Sequence, residues 1–246
     1  MSAGEAPEVV VVMPAYNAAR TLRRTVEEIP PGVAGEIILV DDASSDDTAQ
    51  IASELGLLVI VHGANKGYGG NQKTCYDEAL RRGAGIIAML HPDYQYDPKD
   101  LPRLIEPLRR GDAKVVFGTR MARGAAGRGG MPWWKVLGNR FLTGAENLVL
   151  GQRLSEYHSG YRAYAAEVLR SIPYQDNDDG FVFDQQIIVQ IIQQGYRIDE
   201  IPISVKYFPE MSSVNLRASI DYGLRTLWLL FRYLLQRMRK EASVNQ

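Results

Sequence analysis

The sequence predicts an α/β fold in which a mostly parallel sheet is covered by helices on both faces. Two observations carry this expectation: short β-branched runs alternate with segments of helical period, and the runs are apolar almost throughout rather than at every second residue. Composition agrees, since 246 residues with 46% hydrophobic and 23% charged content are enough for a substantial core.

The elements follow in order. The run 9–13 is a strand leading to a helix over 18–29, strand 36–40 leads to a helix over 47–55, and strand 57–62 leads to a helix near 71–82. Strand 86–90, a helix near 99–110 and strand 114–118 continue the alternation. Residues 119–130 are rich in glycine, carry Arg120, Arg123 and Arg128, and read as a loop. A helix over about 132–150, a hairpin-like stretch around 161–164, a helix over about 181–194 and a strand over 198–205 complete the globular part. From Leu216 onward, Ile220, Leu224, Leu227, Phe231, Leu234 and Met238 recur three or four apart, one stripe of an amphipathic helix. Arg217, Arg225, Arg232, Arg237, Arg239 and Lys240 lie largely off that stripe, which suits a membrane interface or a partner, the alternative being packing on the core. The expected organisation is therefore a flexible N-terminus over 1–8, a globular domain over 9–213 and a helix with its tail over 214–246.

Several function classes are excluded. Cys75 is the single cysteine, so there is no disulfide framework and no multi-thiolate metal site. A net charge of −1 offers no global attraction to nucleic acid. No G-x-G-x-x-G follows the first strand and no G-x-x-x-x-G-K-[ST] occurs, which disfavours dehydrogenases and P-loop ATPases. His62, His91 and His158 lack zinc-protease spacing, and the adjacency of His158 and Ser159 does not make a hydrolase. The start has no basic segment followed by an apolar run, and no stretch reaches the ~18 to 20 apolar residues of a membrane span, so a cytoplasmic location is expected.

In parallel sheets, ligands sit beyond the carboxyl ends of the strands. Four polar loops gather there, at residues 14–17, 41–48, 63–70 and 91–95. A nucleotide's base and ribose need hydrogen-bond acceptors, which Asp42 supplies. Its diphosphate needs a cation, and Asp93 and Gln95, two apart in an extended segment, are hard oxygen ligands of the kind magnesium or manganese takes.

The combination Val9-Val10-Val11-Val12-Met13-Pro14-Ala15-Tyr16-Asn17, Val40-Asp41-Asp42-Ala43-Ser44-Ser45-Asp46-Asp47-Thr48 and Asp93-Tyr94-Gln95 resembles the family 2 glycosyltransferases, which have a GT-A (Rossmann-like) fold. With Gly118-Thr119-Arg120, Ser159-Gly160-Tyr161-Arg162 and Ile201-Pro202-Ile203 added, the pattern is most similar to dolichyl- or polyprenyl-phosphate sugar synthases. The resemblance implies an inverting transfer of mannose or glucose from GDP-mannose or UDP-glucose to a polyprenyl phosphate, at the cytoplasmic face of a membrane or on a membrane-anchored partner subunit. It places Pro14, Ala15, Tyr16, Asn17, Asp42, Lys73 and Lys206 around the donor, and a divalent metal, Mn or Mg, on Asp93 and Gln95. Relatives usually show D-x-D-x-Q, where this chain has His91 at the first position. Lys206 stands where many have arginine, which keeps the charge without the two-pronged fork.

Charge points to the acceptor. Between Asp112 and Glu146 there is no acidic residue, yet Lys114, Arg120, Arg123, Arg128, Lys135 and Arg140 occur. Such a segment beside the active edge is an anion receptor, and the resemblance implies that Arg120, Lys135 and Asn139 receive a lipid phosphate. A phosphate acceptor is already ionised and needs positioning and charge balance, whereas a saccharide or protein hydroxyl needs a general base, for which Asp184 is the candidate. Both acceptors remain open from sequence, as does a nucleotide-sugar-binding protein without turnover.

Overall fold

The computed structural model describes residues 8–121, 132–205 and 216–244. Seven strands form one sheet: β1 (Val9–Ala15), β2 (Glu36–Asp41), β3 (Leu58–Val61), β4 (Ile86–Met89), β5 (Val115–Thr119), β6 (Arg162–Ala165) and β7 (Asp199–Pro202). Their spatial order is β3-β2-β1-β4-β6-β5-β7. All pairs are parallel except those of β6, which runs antiparallel to both β4 and β5. The helices are α1 (Ala19–Glu27), α2 (Thr48–Glu54), α3 (Gly67–Arg81), α4 (Leu101–Arg109), α5 (Trp133–Leu150), α6 (Ala166–Ser171), α7 (Phe183–Gln193) and α8 (Leu216–Val244).

Side-chain alternation along β1 explains the two layers. Val10 and Val12 join Ile38 and Val40 under α3 and α7, where Tyr76, Ala79, Ile187 and Ile188 are buried. Val9, Val11 and Met13 join Leu39 under α1, α2 and α4, against Leu22, Ala52, Leu104 and Ile105. Each fully buried aliphatic side chain of this kind contributes roughly 1.5–3 kcal/mol. Both faces of the sheet are thus consumed by packing, and only its strand ends remain for chemistry.

Three elements differ from the sequence expectation. The stretch around 161–164 is not a hairpin: β6 enters the middle of the sheet, and its buried Arg162 disguises it as something other than a core strand. The helix expected near 71 begins at Gly67, because Asp42 accepts from the backbone N–H groups of Lys66 and Gly67 at 2.8 and 3.0 Å and so starts the helix with a carboxylate. The C-terminal helix is apolar on two sides. Thr226 and Leu230 are buried, with Leu227, Leu229 and Tyr233 packed on the core, while most of the stripe read from the sequence faces outward. Leu224 and Met238, for instance, are each 63% exposed.

The glycines of the first turn of α3 are required by close approach. A Cβ on Gly69 would stand 2.5 Å from the Asp178 carbonyl oxygen and 2.7 Å from Phe183 Cβ, so this turn lies directly on the loop that leads into α7. Gly144 in α5 has open space around it. Gly69→Ala is therefore expected to destabilise the fold by about 1–3 kcal/mol through overpacking, whereas Gly144→Ala is expected to stabilise it by roughly 0.5–1 kcal/mol through helix propensity. Urea unfolding midpoints of the two variants should move in opposite directions.

Candidate active site

The loops after β1 and β2 are stitched together by Asn17. Its Oδ1 accepts from the Ser45 N–H at 2.9 Å and its own N–H donates to Ser44 Oγ at 2.8 Å. Asn17 holds φ +51°, a left-handed conformation that asparagine tolerates better than most residues. Pro14 and Ala15 end β1 opposite Val40 and Asp41, and Tyr16 stands 58% exposed between them and Asn17. The expected donor residues 14–17 therefore form one rim.

The two aspartates ending β2 have separate tasks. Asp42 is buried, with Oδ1 bonded to His62 Nδ1 at 2.7 Å and to the Lys66 N–H, and Oδ2 to the Gly67 N–H, so its carboxylate is engaged in building the fold. Asp41 is the residue that sequence reasoning passed over. Its Oδ2 accepts from the Ser44 N–H at 3.0 Å, while among the described residues its buried Oδ1 has no hydrogen-bond partner. A buried acceptor without a donor is costly, and this one sits at the strand end where a ligand is expected. Lys73 is turned toward the loop before α7, bonding Asp179 Oδ1 at 2.8 Å and the Asn177 carbonyl. Lys206 lies outside the described residues, as do Arg123 and Arg128.

After β4, buried and half-buried residues alternate. Tyr94 and Tyr96 are buried anchors, the first donating to Glu28 Oε1 at 2.6 Å and the second accepting from the Gly160 N–H at 2.9 Å. Asp93 and Gln95 are thereby held half-buried on the other side. Asp93 Oδ1 accepts from the Gln95 N–H at 3.0 Å, and among the described residues Oδ2 and the Gln95 amide have no partner. His91 stacks on Tyr68 at 5.7 Å between ring centroids, and Gly160 fits against its edge, where a Cβ would come within 2.6 Å of Nε2. Burial pushes the His91 pKa down, against the opposing charge of Asp93, so the imidazole is neutral at pH 7. A neutral imidazole beside a carboxylate and an amide oxygen is a workable donor set for a divalent cation. Among the described residues no three His, Cys, Asp or Glu side chains form a complete cage.

Asp184, at the start of α7, accepts from Tyr68 Oη at 3.0 Å and Gln72 Nε2 at 3.1 Å and lies 3.2 Å from Arg162 Nη1. Burial opposes the charge on Arg162, but Asp184 and the surrounding tyrosines raise its pKa overall. Tyr68 stays protonated for the corresponding reasons, burial first and then Asp184. Asp184 is consequently locked against a permanent cation.

A second cluster gathers the expected acceptor residues. Arg120 is buried and binds Glu156 through its backbone N–H at 2.7 Å, through Nε at 2.8 Å and through Nη2. Asn139 Nδ2 donates to the same Glu156 Oε1 at 2.9 Å. Lys135, one turn before Asn139, has its pKa lowered by burial and then by the positive charge of Arg120. Glu156 itself is kept ionised: burial works against it, but Arg120 and its hydrogen bonds bring its pKa below the usual value. Arg120 and Asn139 thus share a carboxylate that no sequence motif signals, and Lys135 lies close enough to Arg120 for their charges to oppose each other. The acid lies 36 positions along the chain from Arg120, and no local spacing signals it.

Comparison with known proteins finds glycosyltransferases. Polyprenol monophosphomannose synthase of Mycolicibacterium smegmatis is 29% identical over 91% of this chain and 92% of its own. Undecaprenyl-phosphate mannosyltransferase of Micrococcus luteus is 30% identical over 80% of this chain and 82% of its own. UDP-N-acetylglucosamine–dolichyl-phosphate N-acetylglucosaminyltransferase of Methanococcus voltae is 26% identical over 94% of this chain and 97% of its own. Among solved structures, glucosyl-3-phosphoglycerate synthase from Mycobacterium tuberculosis in complex with UDP superposes with a TM-score of 0.72 at 20% identity, covering 92% of this chain and 79% of that one. The same enzyme holding Mn2+ and UDP-glucose gives 0.70 at 21% identity, with 92% and 78% covered. These likenesses assign the GT-A fold. The sequence profile of glycosyl transferase family 2 matches residues 10–172, most of the chain, and the protein is therefore a glycosyltransferase belonging to that family.

Proposed function

We propose that the protein transfers a hexose, mannose or glucose, with inversion from a nucleoside diphosphate sugar to a polyprenyl or dolichyl phosphate at the cytoplasmic face of a membrane. The observation that carries this reading is the pairing of Arg120 and Asn139 on Glu156, with Lys135 one helical turn from Asn139 and near enough to Arg120 to feel its charge. Two cations against one carboxylate leave a net positive site, which suits a phosphate monoester. The relatives named for polyprenyl, undecaprenyl and dolichyl phosphate support the same acceptor class.

The state of Asp184 favours this acceptor over a hydroxyl. Asp184 is paired with Arg162 and accepts from Tyr68 Oη and Gln72 Nε2, so both of its oxygens are already occupied. An ionised phosphate needs no base, only alignment behind the anomeric carbon. On the donor side, GDP-mannose or UDP-glucose would lie along the rim formed by Pro14, Ala15, Tyr16 and Asn17. Asp41 Oδ1 is the acceptor for a base N–H, since the Asp42 carboxylate is taken up by His62 and the start of α3. Asp93 and Gln95 would hold Mn2+ or Mg2+, with the neutral His91 next to them in sequence. The metal supplies the charge neutralisation that a departing diphosphate requires.

Membrane attachment is supported by the surfaces of α5 and α8. Trp133, Leu137 and Phe141 on α5 and Ile220, Leu224, Trp228 and Phe231 on α8 are exposed. Arg225 and Arg232, seven apart, flank the α8 stripe, so apolar surface is bordered by cations as at an anionic lipid interface. No helix among the described residues is long and apolar enough to cross a membrane.

The decisive experiment is a donor panel assayed with an extracted polyprenyl phosphate, where lipid-linked hexose is the expected product and transfer only to soluble hydroxyls would overturn the reading. Asp93→Ala or chelation should remove nearly all turnover while circular dichroism stays unchanged. Arg120→Ala and Lys135→Ala should each weaken use of the lipid acceptor by about 1.5–3 kcal/mol, roughly 10- to 150-fold in kcat/KM, with donor KM little changed. Replacing Trp228 and Phe231 with serine should abolish sedimentation with anionic liposomes without unfolding the domain, since both side chains are exposed.

A further inference from the structure

The outward-facing helix α8 is tied to the acceptor cluster through one buried polar group. Tyr222, on the inner side of α8, places its hydroxyl 2.9 Å from His158 Nδ1 and accepts from Gln185 Nε2 of α7. Gln185 Nε2 also lies 3.0 Å from His158 Nδ1. The rings of Tyr222 and His158 meet edge to face at 5.6 Å. On its other nitrogen, His158 faces Glu146 of α5, with Nε2 3.3 Å from Oε2 and both atoms buried. Three helices thus grip one imidazole.

The grip has a consequence for the chemistry. The backbone carbonyl of His158 accepts from Arg120 Nη2 at 2.9 Å. Arg120 is therefore aimed from two directions, by Glu156 and by a carbonyl whose position depends on the three-helix clamp. The next residue but one, Gly160, is the one that fits against His91, so the segment bearing His158 touches both halves of the site.

We propose that Tyr222 is a positioning residue: by holding His158, it lets the seating of α8 on the domain set the orientation of Arg120 toward the acceptor phosphate. This rests on the reading of Arg120 as a receiver of acceptor phosphate. Loss of the Tyr222 hydroxyl leaves Gln185 and His158 in a buried space with a missing partner, which frees the ring to turn and the carbonyl with it. Membrane contact along α8 and competence of the acceptor site then become linked states.

The test uses the full-length protein and its Tyr222→Phe variant. With short-chain polyprenyl phosphate in detergent, the variant should show acceptor KM raised roughly tenfold, as expected for one buried hydrogen bond, with donor KM within about twofold and liposome sedimentation retained. In side-chain 15N spectra, the Arg120 Nε–Hε resonance should shift or broaden while that of Arg162 stays in place. Gln185→Leu should produce the same split, and the double variant should be less than additive because both remove one clamp. Unchanged kinetics with an unmoved Arg120 resonance would overturn the proposal, and so would parallel loss of donor and acceptor affinity, which marks general loosening. If the wild type does not use polyprenyl phosphate at all, the acceptor reading fails, and an unmoved Arg120 resonance in Tyr222→Phe would separately overturn the clamp.

Discussion

A guanidinium buried in the middle of a β-sheet is the constraint on which the rest of the site depends. Arg162 is 1% exposed, and an unpaired charge there would cost several kcal/mol. It is satisfied by Asp184, by the carbonyls of Tyr157 and Ser159 at 3.0 and 2.7 Å, and by the face of Phe117 at 4.7 Å. Each partner belongs to a different part of the site. Asp184 fixes the start of α7 and the side chains of Tyr68 and Gln72, and Tyr68 in turn supports His91. The two carbonyls fix the segment that carries Glu156 and His158 and thereby orient Arg120. The loop after β4 and the cluster around Glu156 are thus held in register by one buried cation.

The alternation of strands and helices, the two covered faces and the gathering of loops at the strand ends were all legible in sequence, because each is written in periods of two or three to four residues. The pairing of Glu156 with Arg120 was not, since it joins loops from opposite sides of a helix. The choice between Asp41 and Asp42 was equally hidden. Adjacent residues of a strand point to opposite faces, and only the position of α3 shows that the second is drawn into its N-terminus. In α8, the sequence pattern identified the apolar stripe that faces outward but not the second face by which the helix packs on the domain. The inner side is made from Tyr222, Thr226, Leu230 and Tyr233, three of which carry hydroxyls and do not register in an apolar count.

The departure at His91 acquires a physical setting in the structure. A carboxylate at that position would face the Tyr68 ring and the Gly160 backbone, close to Asp184 and Asp93, in a region where burial already disfavours charge. A neutral imidazole fits the same space, stacks on the aromatic ring and keeps a nitrogen lone pair available. Histidine at this position exchanges one negative charge for packing.

The antiparallel course of β6 has a consequence for the architecture of the molecule as a whole. β5 ends and β6 begins at the same end of the sheet, so the described residues 120–121 and 132–161 lie on the connection between two neighbouring strands. That connection carries Arg120, Lys135, Asn139, Glu156 and His158, whereas the loops after β1, β2 and β4 come from other stretches of chain. On the proposed reading, the acceptor side is drawn largely from one stretch and the donor side from others, meeting where Gly160 fits against His91. Substitutions in that one stretch would then change what receives the sugar without altering the register of a strand on the donor side.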